Sequence, residues 1–199
     1  FIRFHQIGGF DIRTLPGQEV TVHGKKDLVG VIGYRAPHVS GNPGKPTPMD
    51  KLFIDVGLPE ADLKESVFVG DTITMRTSCM ELTPEKLSGK AFDDRAAVGT
   101  IALCLDLLSK RHHEWDVYAV ASVQEEVGLR GAFTATYGIM PDIGIAIDVG
   151  FAKQPGIPEH ERVEMGKGPA LCSGPHLHPK LRKEIKEAED PEAKREEKI

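Results

Sequence analysis

Residues 115–126, Trp115-Asp116-Val117-Tyr118-Ala119-Val120-Ala121-Ser122-Val123-Gln124-Glu125-Glu126, lead from an apolar segment directly into two glutamates. A short, nearly continuous apolar run that includes Val and Tyr is typical of a strand buried on both faces of a largely parallel sheet. Residues 143–147 repeat this pattern and end at Asp148. We therefore predict buried strands at residues 115–123 and 143–147.

The segment before the first of these strands has helical spacing. Its apolar residues recur at three- and four-residue steps, at Ala97, Ile101, Leu105 and Leu108. Basic residues follow at its end, where they interact favourably with the helix dipole. A helix over residues 94–110 that alternates with buried strands predicts an α/β fold for residues 81–199.

Residues 1–80 have a different pattern, in which short extended segments are separated by turns rich in glycine and proline, such as residues 41–48. The predicted strands are residues 1–5, 20–23, 28–34, 51–56, 67–69 and 72–78. This pattern predicts a small all-β, barrel-like or sandwich domain with a boundary near residue 80. The almost wholly charged stretch 181–199 is expected to be a solvated helix that frays beyond Pro191.

Composition argues against several classes of function. The formal net charge is −5 and there is no basic stripe, so we expect neither a nucleic-acid nor a membrane partner. Three separated cysteines indicate neither a disulfide framework nor a structural zinc site and favour a cytoplasmic protein. The chain opens at Phe1 within a strand-like pattern, which suggests that residues upstream are absent.

Three acidic stations stand at the predicted element boundaries: Asp93-Asp94, Glu125-Glu126 and Asp148. Ligands of open α/β sheets bind beyond the carboxyl ends of the strands, so the second and third stations should meet at one edge. Clustered carboxylates repel each other unless a cation lies between them. Two divalent ions that share a carboxylate and a water are one solution, and that arrangement suits hydrolysis.

Each candidate residue also has a purely structural interpretation. Asp94 can be the N-cap of the following helix, and two glutamates after a strand are often surface residues. His112 and His113 are expected to lie at a helix C-terminus without a ligand role. His176 and His178 have period-two spacing and are weaker candidates for metal ligands.

Taken together, residues 90–95 (Lys-Ala-Phe-Asp-Asp-Arg), residues 123–132 and residues 146–149 resemble the tetrahedral, or deblocking and glutamyl-type, aminopeptidases. Residues 7–11, 15–20 and 30–38, which end in Pro37-His38, are similar to that family's inserted β domain. The resemblance implies a partial phosphorylase/peptidase-like α/β catalytic domain at 81–199. It also implies a preceding β-rich dimerisation domain at 1–80.

Carried over to matching positions, the family roles make Asp93 a metal-bridging carboxylate, Glu126 a ligand of one ion and Asp148 a ligand of the other. Glu125 would be the general base. The resemblance further implies two zinc or cobalt ions, peptide substrates and a homo-oligomer ranging from dimer to dodecamer.

The family also uses a His-x-Asp element upstream and a metal-binding histidine downstream, and neither occurs in this sequence. We therefore expect three carboxylates without an imidazole to bind zinc or cobalt poorly, with weak or no peptidase activity for this chain alone. A truncated or split gene product, a partner chain that supplies the rest and a longer protein are all compatible with this pattern.

Two rival functions remain open. The first is a catalytically inactive homologue that acts as an assembly module. The second, an endoglucanase-type glycosidase, has less support because its paired carboxylates must stand about 5 to 9.5 Å apart on either side of a sugar bond. Adjacent glutamates in one loop do not readily meet that requirement.

Overall fold

The computed structural model describes residues 1–36 and 45–189. Pro37-His38, the first part of the predicted 41–48 loop and the tail with Pro191 lie outside the described residues. The chain divides into two compact units, Phe1–Ile147 and Asp148–Ile199. The predicted domain boundary near residue 80 stays a prediction.

The first unit contains a four-stranded antiparallel sheet. Its strands are β1 (Glu19–His23), β2 (Asp27–Gly33), β3 (Phe53–Asp55) and β4 (Thr72–Met75), in the order β3-β2-β1-β4. These strands confirm the predictions at residues 20–23, 28–34, 51–56 and 72–78. The predicted strand at residues 1–5 contributes only an isolated bridge between Ile2 and Ile54.

The alternation of side chains along these strands determines the core. Val20 and Val22 on β1 are buried, whereas Thr21 between them lies on the opposite face. They pack with Ile32, Ile54 and other residues; the full buried cluster is Leu15, Val20, Val22, Ile32, Leu52 and Ile54. Burial of each such side chain contributes roughly 1.5–3 kcal/mol, so this cluster is the main source of stability in the sheet.

Two features of the first 90 residues differ from the prediction. Residues 67–69 are not a strand but follow a short helix, α1 (Glu60–Ser66). Acidic residues in its first turn and an ion pair between Glu60 and Lys64 favour that helix, and the strand prediction did not weigh these signals. A second small sheet pairs β5 (Met80–Thr83) with β6 (Lys86–Ser88).

The predicted helix at residues 94–110 is confirmed as α2 (Phe92–Leu108). Asp93 and Asp94 have non-helical backbone angles, so the regular helix begins after them. A further helix, α3 (Arg130–Ile139), follows the second acidic station.

The two predicted buried strands, residues 115–123 and 143–147, are wrong for the described part of the chain. Neither segment pairs with a strand there, and Trp115 and Ile145 are 63% and 71% exposed. A strand requires a neighbour to accept and donate its backbone hydrogen bonds, and an apolar pattern supplies no such neighbour. These segments therefore leave their apolar side chains exposed.

In the second unit, a parallel bridge joins Ala152 to Val163, and a helix, α4 (Pro179–Glu189), follows. The helix confirms the predicted helical start of the charged stretch. Arg182 on this helix donates from Nε to the carbonyl oxygen of Cys172. No helix among the described residues is both long and apolar enough to span a membrane.

A pH prediction arises at Asp11, which begins a 3-10 turn at Ile12–Thr14. Its carboxylate accepts hydrogen bonds from the Arg13 guanidinium and from the Arg13 backbone N–H, which lower the Asp11 pKa to about 2. Because the folded-state pKa lies below the ordinary 3.8, this contribution to stability is complete above about pH 4 and is lost as the pH falls through about 2.

The carboxyl carbon of Asp11 should therefore titrate in NMR spectra with a midpoint of about 2. Arg13→Gln should move the midpoint up toward the ordinary value. The matched change Arg3→Gln should leave it in place, since Arg3 binds the carbonyl oxygens of Asp50 and Leu52 instead. A midpoint that Arg13→Gln does not move would contradict this assignment of the cause.

Candidate functional site

The first acidic station lies at the start of α2. Ala91 has left-handed backbone angles (φ 59°, ψ 28°), and the Asp93–Asp94 peptide bond is cis. The Asp94 carboxylate accepts a hydrogen bond of 3.2 Å from the backbone N–H of Ala97. This bond confirms that Asp94 caps the helix, so Asp93 remains the candidate for ligand chemistry.

The second station forms a tight turn, which we call the acidic turn: the 3-10 segment Glu125–Val127. The carbonyl oxygen of Glu125 accepts hydrogen bonds from Gly128 N (3.0 Å) and Leu129 N (2.9 Å). Gly131 N donates to Val123 O at 2.8 Å, which closes the turn against the start of α3. The turn thus holds two adjacent carboxylates on a backbone that is hydrogen-bonded on both sides.

Backbone strain concentrates at these two stations. The non-glycine residues with positive φ are Ala91, Gln124, Leu129 and Met140 among the described residues. Met140 ends α3, where a left-handed residue is ordinary. The other three flank Asp93 or the acidic turn, and each costs on the order of 1 kcal/mol or more. Strain of this kind clusters at functional sites, so its position agrees with the candidate residues.

The carboxylates of the acidic turn differ in their surroundings. Glu125 is half-buried and Glu126 is exposed. Gly8 lies next to Glu126, since a Cβ built on Gly8 would be 4.0 Å from the Cβ of Glu126. No pattern in the sequence predicted that the N-terminal segment lies beside this turn.

Asp148, the third station, is the first residue of the second unit and is exposed. One of its carboxylate oxygens, Oδ1, accepts a hydrogen bond of 2.7 Å from Val149 N. Within the described ranges, no group of three or more His, Cys, Asp and Glu side chains could hold a metal ion. The assignment of Asp93, Glu126 and Asp148 as metal ligands stays a prediction.

The chemistry of these donors fits a divalent cation. Over residues 1–36 and 45–189, neither Asp93 nor Glu126 has a hydrogen-bond partner or an ion pair for its carboxylate. Carboxylate oxygens that no protein cation neutralises can accept zinc, cobalt or another divalent ion. These residues are suitable ligands by donor type.

Two of the four histidines considered in the sequence, His113 and His178, have hydrogen-bond contacts with the backbone. His178 Nδ1 accepts a hydrogen bond of 3.3 Å from Leu181 N, so this side chain caps the start of α4. His113 Nδ1 lies 2.8 Å from the carbonyl oxygen of Trp115. The Nδ1 atoms of both residues are therefore engaged in contacts with the backbone.

Comparison with known proteins identifies the family. The model of the M42 glutamyl aminopeptidase family matches residues 1–193, a range that contains all three acidic stations. The chain belongs to the M42 aminopeptidase family. The predicted resemblance is thereby confirmed.

Individual M42 relatives agree with this assignment. Lysyl aminopeptidase from Pyrococcus furiosus is 35% identical over 188 residues, which cover 92% of this chain and 54% of that protein. The solved structure of aminopeptidase APDkam598 from the archaeon Desulfurococcus kamchatkensis has a TM-score of 0.81 at 39% identity, covering 95% of this chain and 54% of that one. The chain therefore spans about half the length of these relatives.

A third M42-like match is the Pyrococcus horikoshii TET1 peptidase, which can assemble into a tetrahedron or a large octahedral shell. It has a TM-score of 0.73 at 32% identity and covers 83% of this chain and 50% of that one. The similarity to these solved structures confirms the predicted α/β fold class.

Proposed function

We propose that this M42 chain is part of a metal-dependent aminopeptidase that removes N-terminal residues from peptides at a dinuclear metal centre. The observation that supports this most strongly is the family match over residues 1–193, because it includes every acidic station in order. The unpaired carboxylates of Asp93 and Glu126, together with the strained backbone beside them, agree with the proposal.

Asp93, Glu126 and Asp148 would hold the two ions, with Asp93 shared between them. When bound, zinc or cobalt ions would lower the pKa of the attacking water and polarise the carbonyl of the first peptide bond. Sharing a single carboxylate between two ions requires that both oxygens of Asp93 be available. Asp94, the residue after Asp93, caps the helix instead.

Glu125 would act as the general base. In a 3-10 turn, consecutive side chains point about 120° apart, so Glu125 and Glu126 project in different directions from one rigid backbone. Glu126 can therefore hold an ion while Glu125 takes a proton from the attacking water and passes it to the departing amine.

The similarity to the TET1 peptidase of Pyrococcus horikoshii, which can assemble into a tetrahedron or a large octahedral shell, supports a homo-oligomer. We propose that the protein works in the cytoplasm as such an assembly and that peptides are its substrates. If the chain has lost catalysis, this assembly role is the second candidate function.

The test is to reconstitute the purified chain with zinc or cobalt, count the bound metal by elemental analysis and measure amino-acid release from peptides. Matched peptides with free and N-acetylated termini serve as substrate and control. About two ions per chain, with release only from free N-termini, would support the aminopeptidase.

Other outcomes would decide between the alternatives. A large oligomer without bound metal or amino-acid release would favour the assembly module. Release of reducing sugar from a β-glucan would overturn the proposal in favour of the glycosidase.

A further inference from the structure

The helix α2 carries apolar side chains on opposite sides. Val98 and Leu105 are about two turns apart, so they share one side of the helix. Leu103 and Leu107 are about one turn apart and lie roughly opposite to that pair. All four side chains are exposed. A helix that is apolar on all sides is normally enclosed by other elements, so α2 has the composition of a buried helix but lacks its cover.

Two further segments, residues 115–123 and 143–147, also lack neighbours. Neither pairs with a strand in the described part of the chain, although both consist mainly of apolar residues. A Cβ built on Gly144 would have nothing within 4 Å, so the space beside the second segment is open. A segment without a strand partner leaves backbone N–H and C=O groups that a strand of another polypeptide can bind. Both segments are therefore suited to accept added strands.

The helix α3 adds an apolar stripe on one side. Phe133, Tyr137 and Met140 recur at helical steps, which places them along one side of the helix, and all three are exposed. Gly131 at the start of α3 donates its N–H to the carbonyl oxygen of Val123 at 2.8 Å. The helix therefore adjoins the end of the first unpaired segment.

We call α2, α3 and the two unpaired segments the apolar elements, and they all belong to the unit Phe1–Ile147. A second copy of this chain would cover them poorly. A symmetric dimer buries one patch, the same on both copies, whereas α2 alone presents two opposite sides. A polypeptide that packs around α2 and also supplies strands fits both the helices and the segments.

The M42 relatives contain polypeptide of this kind in addition to the part that matches this chain. The match to APDkam598 has a TM-score of 0.81 and covers 95% of this chain but 54% of that protein. The match to lysyl aminopeptidase likewise covers 92% of this chain and 54% of that protein. Each relative thus joins the shared part of the fold to a further stretch of chain.

We propose that the apolar elements dock a second polypeptide, different from this chain, that corresponds to the part of the M42 relatives outside the match. Its strands pair with residues 115–123 and 143–147, and its apolar side chains cover α2 and the stripe on α3. The docking involves no metal ion. It therefore goes beyond the proposed function and is tested separately from it.

The first test co-expresses the tagged 199-residue chain with the part of APDkam598 outside the match, as a separate polypeptide. We expect the two to co-purify in equal amounts. Backbone amides of residues 115–123 and 143–147 should then exchange with deuterium about 100-fold more slowly than in the chain alone, because strand pairing protects them. Purification of the chain without the added polypeptide, or unchanged exchange in both segments, would overturn the inference.

Two matched substitutions test where the second polypeptide docks. Val117→Asp places a charge in the segment 115–123, and Val69→Asp places the same charge at an exposed valine outside the apolar elements. Both valines are exposed, so both variants should keep the urea midpoint of the unmodified chain. We expect Val117→Asp to lower recovery of the second polypeptide by about 10-fold or more, because docking would bury an unpaired charge, and Val69→Asp to leave it unchanged. Equal recovery with the two variants would contradict docking at this segment.

A third measurement uses Trp115, which is exposed and is the single tryptophan of the chain. Labelling the chain with fluorotryptophan gives one fluorine NMR signal, whatever tryptophans the unlabelled polypeptide contains. We expect this signal to shift and to lose its response to heavy water when the second polypeptide docks, because the ring becomes buried. The same change on concentrating the chain alone would show that a second copy covers the segment, and would overturn the inference.

Discussion

Replacement of Gly131 by Ala is expected to lower the free energy of unfolding by about 3 kcal/mol, at the upper end of the usual cost of overpacking. The new Cβ would stand 2.4 Å from the carbonyl oxygen of Val123 and 2.5 Å from its nitrogen. Neither atom can withdraw cheaply, because Gly131 N donates to that same carbonyl oxygen at 2.8 Å. The acidic turn must open to accept the methyl group.

Gly138 provides the matched control, since it lies in the same helix and has nothing within 4 Å of its Cβ position. Gly138→Ala should stabilise the chain by up to about 1 kcal/mol through helix propensity alone. The two variants are compared by their midpoints in urea. If Gly131→Ala unfolds at the same urea concentration as Gly138→Ala, the close packing of α3 on Val123 is disproved.

The sheet of the first unit was predictable because its strands carry their own pairing information. Alternating burial along β1 and the short connection to β2 place Val20 and Val22 on the same face of a local hairpin. The segments 115–123 and 143–147 lack this property. Their apolar character predicts burial, but burial in a parallel sheet depends on partners that no local pattern supplies.

The candidate site shows the same division between local and non-local information. Asp93, Glu125, Glu126 and Asp148 could be selected from sequence because carboxylates at element boundaries are a local pattern. The left-handed angles of Ala91, Gln124 and Leu129 could not, since alanine, glutamine and leucine have little intrinsic preference for them. The approach of Gly8 to Glu126 joins residues 118 positions apart and has no sequence signature.

These observations explain why the acidic turn should be sensitive to its glycines. Gly131 lets the helix α3 approach Val123, and Gly128, with a φ of +115°, lets the chain reverse after Glu125–Val127. The hydrogen-bonded backbone of the turn therefore sets the directions of the Cα–Cβ bonds of Glu125 and Glu126. Because these directions differ, substitutions at Glu125 and Glu126 can test separately for the roles of general base and metal ligand.

In a metal-loaded preparation that releases amino acids, Glu125→Gln is expected to lower kcat by about 10²–10⁴-fold, because an amide cannot take the proton that a general base must accept. Its cobalt affinity should stay close to that of the unmodified chain. Glu126→Gln should instead weaken cobalt binding by about 10-fold or more, because a charged ligand becomes a neutral one.

Glu85→Gln, at an exposed glutamate next to β6, is the control for loss of one negative charge. Cobalt titration separates the first two variants even where turnover is too slow to measure. Equal cobalt affinities for Glu125→Gln and Glu126→Gln would show that the two carboxylates do not divide the roles of base and ligand, since their charge and position in the chain are otherwise matched.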